Sequence, residues 1–340
     1  MGTNDGSKKK IQLKIVDWIF IVLGVVSFFG VIISVTGVAG LAVRQNFLYL
    51  VIAVVICVFV IAYRIINKSK YSAIKKIILF IFTMAAIYWA YTFELYSLFI
   101  YQVFDDASEK VLQQTSGFER VSVPFKDGKL TGWLYRQSKE QEAPLFIFFT
   151  GAGECSAKAM NNFYQDGNLM EYLPNYDFLC IDYPSYGDSD GLAYNYAMRS
   201  MALNVYDKAK TLDGIDQSKI TVAGYSIGTG PAAYLAEKRE VASLILVATY
   251  DKYYHIENAD RSGWNRFICG YDVNPIDYAK HIKKPTMILT SDADRTCEYK
   301  SAKRVADRIK NSKMIKLSGV KHENMLCEQS FQYISDFLKQ

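Results

Sequence analysis

Apolar residues are distributed along this chain in two distinct ways. Before about residue 105 they form three long blocks, about Ile15 to Val38, Phe47 to Ile66 and Ile77 to Phe99. Each block is close to the roughly 20 residues that cross a bilayer as a helix. A helix satisfies its own backbone groups, which lipid demands. From about residue 118 the pattern changes to short runs. Arg120–Phe125 and Leu130–Tyr135 flank an Asp-Gly pair, which predicts a β-hairpin. Leu145–Phe149, Phe178–Ile181, Ile220–Ala223, Leu244–Val247 and Met287–Leu289 are continuous apolar runs. Such runs suit strands buried on both faces of a parallel sheet. Met314–Leu317 is a further expected strand. Between the strands, Ala197–Thr211, Ile227–Glu237, Ala302–Ile309 and Glu328–Leu338 have helical patterns. This alternation predicts an α/β fold with a mostly parallel sheet, its ligand site outside the C-terminal ends of the strands. Thr249 to Lys284 breaks the rhythm and is rich in Tyr, Asp and Asn. It reads either as a lid or binding loop or as an irregular surface crossover.

Charge refines the first third. The formal net charge is +5, and much of the excess flanks the apolar blocks: Lys8, Lys9, Lys10 and Lys14, then Arg64, Lys68, Lys70, Lys75 and Lys76. Only Arg44 lies between the first two blocks. The positive-inside rule therefore predicts a cytoplasmic N-terminus and a multi-pass membrane protein, with its C-terminal domain on the extracytoplasmic side after three spans. Were the third block to lie on the surface, the domain would be cytoplasmic. That block contains Glu94, and Tyr88, Tyr91 and Tyr96 within it, with Tyr101 just beyond, suit an interfacial belt. The expected organisation is a basic N-terminus over 1–14, a membrane region over 15–104, a linker over 105–117 and a catalytic domain over 118–340. No basic stripe with interleaved aromatics occurs in the last part, which argues against nucleic-acid binding. The six cysteines include no CxxC pair and no Cys/His zinc spacing. They read either as free thiols or as including a Cys297–Cys327 disulfide, which needs an oxidising compartment.

The strongest chemical signal is Gly224-Tyr225-Ser226-Ile227-Gly228. It directly follows an expected strand and opens an expected helix, the strand–turn–helix setting of an exposed nucleophilic serine. A serine hydroxyl needs a base. Of the three histidines, His281 sits in a lysine-rich approach and His255 in the irregular segment. His322 follows the last strand and precedes the last helix, the chain position expected of the base. An acid that fixes the imidazole should end the Thr286–Thr290 strand. Spacing favours Asp294, with Asp292 in reserve. Thr150-Gly151-Ala152-Gly153 follows an early strand with small side chains, so the oxyanion donors are expected to be the N–H groups of Ala152 and Ile227.

These residues resemble the α/β-hydrolase superfamily over about 118–340. They are most similar to the serine-aminopeptidase-like branch that includes membrane-anchored α/β-hydrolase domain-containing proteins. Five stretches carry the resemblance: Phe148–Gly153, Asp182–Gly191, Lys219–Gly230, Thr290–Asp294 and Lys321–Asn324. Thr150 stands where the branch has histidine, and Ser185 and Ser291 stand where it has glycine. The resemblance implies a serine hydrolase with Ser226, Asp294 and His322 as triad. It would act on an acyl ester, thioester or amide, without metal or organic cofactor. A membrane tether suggests a lipid or acylated substrate. An acyltransferase using the same residues, or a non-catalytic membrane scaffold, are the alternatives. Fold neighbours differ widely in substrate.

Overall fold

A computed structural model describes residues 104–340, apart from 127, 139–140, 166, 192–194 and 257–271, together with 72, 74, 76, 78 and 81. The three apolar blocks expected to span a membrane thus lie almost wholly outside the described residues. Of that region Ile74, Lys76, Ile78 and Ile81 are helical. Among the described residues no helix is long and apolar enough to cross a membrane.

The unit Tyr101–Gln340 carries one eight-stranded sheet. Its strands are β1 (Phe118–Phe125), β2 (Gly128–Tyr135), β3 (Ala143–Phe149), β4 (Asp177–Ile181), β5 (Ile215–Tyr225), β6 (Ser243–Val247), β7 (Thr286–Ser291) and β8 (Ser312–Leu317). Their spatial order is β1-β2-β4-β3-β5-β6-β7-β8. The hairpin β1–β2 is antiparallel and joins β4 antiparallel, while all pairs from β4 to β8 are parallel. Every expected strand is present. The central strands β3, β4, β6 and β7 are buried at every position, as their unbroken apolar runs require. The edge strands differ: β1 alternates toward its end, and β8 exposes Lys313 and Lys316. Charge on an exposed edge discourages pairing with another chain.

The helices are α1 (Asp106–Gln114), α2 (Ser156–Tyr164), α3 (Leu169–Tyr172), α4 (Asn195–Ala209), α5 (Thr229–Lys238), α6 (Pro275–Ala279), α7 (Tyr299–Ala306) and α8 (Glu328–Leu338). From β3 the chain steps to β4 on one side, then crosses back over β3 to β5. Right-handed crossovers therefore put α2 and α4 on opposite faces. Helices α2, α3 and α8 pack together, while α4, α5, α6 and α7 form a continuous second layer. The reversal of direction beside β3 opens a crevice at the C-terminal strand ends.

One segment differs from the sequence reading, and a second, read as a lid or as an irregular crossover with one helix, does contain a helix. Residues 105–117, expected as a linker, contain α1. Asp105 caps it by accepting from Ser108 N–H at 2.9 Å, and Leu112 is fully buried. The helix docks on the hairpin through Glu109, which accepts from Trp133 Nε1 and Arg120 Nη1. The irregular segment 249–284 has described feet, the turn Tyr253–His255 and α6. They are tied together: Tyr253 N–H donates to Asn274 Oδ1 at 2.8 Å, and Tyr250 Oη–H donates to Val273 O at 2.6 Å. Lys252 pairs with Asp277, and Arg304 with the buried Asp251. What lies between, 257–271, is outside the described residues.

Candidate active site

Strand β5 ends at Tyr225, a tight 3-10 turn covers Ser226–Gly228, and α5 follows at once. The turn forces Ser226 to a φ of +53°, a left-handed conformation that costs an L-residue energy. Its flanking glycines are sterically required. A Cβ on Gly224 would overlap the Gly228 carbonyl oxygen, and one on Gly228 would overlap the Phe149 carbonyl oxygen. Thr229 Oγ1 donates to Ser226 O at 2.6 Å and receives from Thr249 Oγ1 at 3.1 Å, which pins the turn from beneath. The serine side chain is thereby lifted out of the strand and faces the crevice beside a helix N-terminus.

His322 opens a 3-10 turn after β8. Its Nε2 lies 2.9 Å from Ser226 Oγ, 96 residues away, and its Nδ1 lies 2.9 Å from Asp294 Oδ2. Asp294 is 2% exposed. Its other oxygen accepts from Thr296 N–H at 2.9 Å and Cys297 N–H at 2.8 Å. The loop backbone thus fixes one carboxylate oxygen and leaves the other to the imidazole. Asp294, favoured by the sequence, and Asp292, its reserve, make separate contacts. Asp292 accepts from Gly319 N–H at 2.8 Å and Ser318 Oγ–H at 3.3 Å, which ties the acid loop to the histidine loop. The other histidines are committed elsewhere: His281 to Glu237 at 3.0 Å and His255 to Asp251 at 2.8 Å. Burial alone would raise Asp251, but Arg304 and His255 outweigh it and bring its carboxyl down to about 2.

The loop Thr150–Gly153 passes directly beside this turn. A Cβ on Gly151 would come within 2.8 Å of the Tyr225 ring and 3.7 Å of Ser226 Cβ. Gly151 and Ile227 are buried, whereas Ala152 is exposed at the crevice.

Two neighbours escaped the sequence reading. Tyr225 Oη–H donates to the His322 carbonyl at 2.7 Å, and the two rings stack with centroids 5.3 Å apart. Burial raises the Tyr225 phenol, so it stays a donor. The Cys297 thiol meets the Ser226 side chain, and burial pushes its pKa well above the ordinary thiol range. Cys297 and Cys327 are both free, so the expected alternative of a disulfide between them is not realised. The available signal for both residues was adjacency: Tyr225 precedes the serine, and Cys297 follows the acid loop. Among the described residues no group of three or more His, Cys, Asp or Glu side chains could hold a metal ion.

Strand order, the parallel crossovers and the turn after β5 together are those of the alpha/beta hydrolase fold. The alpha/beta hydrolase fold family profile matches residues 144–277. Among curated proteins, an uncharacterized protein of Caenorhabditis elegans is 30% identical over 148 residues, covering 43% of this chain and 29% of its own length. A multifunctional-autoprocessing repeats-in-toxin protein of Vibrio vulnificus is 27% identical over 144 residues, covering 38% of this chain and 3% of its own. The chain thus spans less than a third of these relatives. Among solved structures, a Pyrococcus furiosus esterase superposes with a TM-score of 0.54 at 18% identity, over 70% of this chain and 97% of the esterase. A 2,6-dihydroxy-pseudo-oxynicotine hydrolase gives 0.56 at 14% identity, over 68% and 70%. At such identities these two likenesses speak for the fold alone.

Proposed function

We propose that this protein is a membrane-tethered serine hydrolase that cleaves an acyl ester, thioester or amide bond. The observation that carries the reading is His322 lying 2.9 Å from both Ser226 Oγ and Asp294 Oδ2. In the productive tautomer His322 Nδ1–H donates to Asp294, and Nε2 accepts the Ser226 proton. Ser226 Oγ attacks the carbonyl carbon, and the C=O electron pair moves onto oxygen. The N–H groups of Ala152 and Ile227 receive that oxyanion; each such donor typically contributes about 2.7–4 kcal/mol. Collapse breaks the bond to the leaving group, which takes the proton from His322. Water then adds to the acyl-serine, giving its proton to the same imidazole; the bond between the carbonyl carbon and Ser226 Oγ breaks, Oγ takes that proton back from His322, and the acid is released. The strained, hydrogen-bonded turn keeps the nucleophile in place before substrate arrives, so little reorganisation remains for the transition state. The esterase and the hydrolase that share the fold are compatible with this chemistry but assign no substrate to this chain. The apolar blocks before residue 105 support the tether and an acylated or lipid substrate near a bilayer.

The test is covalent labelling by a fluorophosphonate probe, followed by hydrolysis of acyl esters of graded chain length. Labelling and turnover are expected in the wild type and absent in Ser226→Ala and His322→Ala. Full activity in Ser226→Ala rejects the assignment. For the tether, protease accessibility in sealed vesicles should protect or expose the 118–340 region as one block.

A further inference from the structure

The stretch Asp182–Gly191, singled out in the sequence, takes no part in the acyl-transfer step. It nevertheless grips the loop that carries the Ala152 donor at three points. Tyr183 Oη–H donates to Thr150 O at 2.6 Å, Gly153 N–H to Tyr186 Oη at 3.5 Å, and Ser156 N–H to Asp182 Oδ1 at 2.6 Å. Asp182 is itself held on both sides. Its N–H donates to Thr131 O at 2.8 Å, and its carbonyl accepts from Ser189 Oγ at 3.2 Å. The carboxyl is 2% exposed. Its Oδ2 and the Ser156 hydroxyl are both buried without an aligned partner, and that hydroxyl faces the same carboxyl. Gly187, at φ +49°, closes over it, and a Cβ there would overlap Oδ2. A buried carboxyl is costly to keep without such bonds. Its position at the head of α2, behind residues 150–156, gives the cost a use.

We propose that Asp182 is a positioning residue whose buried carboxyl, through Ser156, holds the oxyanion loop at the spacing from Ser226 that acyl transfer needs. This rests on the acyl-transfer reading of Ser226. Burial pushes Asp182 up to about 7, opposed by the Ser156 bonds and the Arg120 charge, with Glu109 adding to the rise. Among the groups around it, burial raises the Cys155 thiol to about 12 and the Cys180 thiol well above its ordinary value, and burial also raises the Glu154 carboxyl on the loop itself, so Glu154→Gln is the control for the pH profile. Arg120 is shared with Glu109 and Asp188. Above about pH 7 a carboxylate therefore forms behind the loop whose N–H groups must meet an oxyanion, and it opposes that charge.

The test compares wild type, Asp182→Ala, Asp182→Asn and Tyr183→Phe in the full chain. Hydrogen exchange of residues 150–156 is read first, because it does not depend on catalysis. Asp182→Ala should exchange at least tenfold faster there, and Asp182→Asn, which keeps the acceptor for Ser156 N–H, should restore protection to within about threefold. Tyr183→Phe, which removes only the hydroxyl on Thr150, should loosen the same peptide by a smaller factor and covers the case in which Asp182→Ala does not fold. With a short acyl ester, kcat should fall at least tenfold in Asp182→Ala with little change in KM, and recover in Asp182→Asn. The wild-type alkaline decline centred near pH 7 should be missing in Asp182→Asn. Unchanged exchange in both Asp182→Ala and Tyr183→Phe overturns the proposal, as does a wild-type pH profile in Asp182→Asn. A wild type inert to every ester and to the fluorophosphonate overturns the acyl-transfer reading and with it the catalytic purpose of the clamp.

Discussion

The φ of +53° at Ser226 offers a test in which two equally inert variants differ in stability. Ser226→Ala and Ser226→Gly both remove the hydroxyl that meets His322, so they lose the same hydrogen bond. They differ only in the Cβ. A left-handed backbone costs an L-residue about 1–2 kcal/mol, which alanine retains and glycine escapes. Against this, glycine carries an entropic penalty of about 0.5–1 kcal/mol relative to alanine. The balance favours Ser226→Gly over Ser226→Ala by about 0–1.5 kcal/mol, about 0.75 at mid-range, the reverse of the order at an ordinary strand or helix position. For a unit of this size the mid-range value is a rise of about 1–4 °C in Tm. Urea unfolding of the full chain in mild detergent, followed by near-ultraviolet circular dichroism, measures the midpoints at matched m-values. Both variants should be inert to fluorophosphonate. Should Ser226→Ala prove the more stable by about 1 kcal/mol, the turn stores no strain, and the argument that it pre-positions the nucleophile fails.

Three further outcomes are expected. Asp294→Asn should lower kcat by about 10⁴-fold with the fold intact, because the imidazole loses the partner that fixes its tautomer, whereas Asp292→Ala, which removes an exposed loop-to-loop acceptor, should leave kcat within a few-fold. Gly228→Ala should destabilise by about 3 kcal/mol or more, read by thermal unfolding, since its Cβ has only the Phe149 and Thr150 carbonyls to occupy. Asp251 has a folded pKa of about 2, below its unfolded value of about 3.9. Its contribution, roughly 2–3 kcal/mol, is therefore full above about pH 4 and is lost as pH falls through about 2. Asp251→Asn should be less stable than wild type at neutral pH by about that amount, with the gap closing toward pH 2 in urea titrations.

The sheet was legible because burial on both faces leaves an unmistakable mark. Strands such as Phe146–Phe149 and Leu244–Val247 have no polar position to confuse the period. The positions of Ser226, Asp294 and His322, the proposed triad, were legible for a related reason. Each must follow a parallel strand directly, so each sits where an apolar run stops: Ser226 after β5, Asp294 after β7 and His322 after β8. What stayed hidden has no such periodicity. Helix α1 looked like a linker because its apolar stripe is thin, and its hold on the domain comes from Leu112 and from polar bonds of Glu109. Sequence spacing favours Asp294 but keeps Asp292 in reserve, since both lie at the mouth of β7; the physical difference is made by Gly319 and Cys297, which claim one each through backbone N–H groups. Tyr225 and Asp182 were hidden more deeply. Each acts on a partner outside its own motif: Tyr225 on the His322 carbonyl 97 residues away, and Asp182 on Ser156 N–H. A motif records where a side chain must leave the backbone, but a clamp is defined by what it touches. Its members become visible only once the strand ends are brought side by side. That convergence also explains why the nucleophile tolerates its strained φ. The cost at Ser226 is local, while the restraints that hold it come from Thr229, Thr249, Phe149 and His322, four separate stretches that cannot relax together.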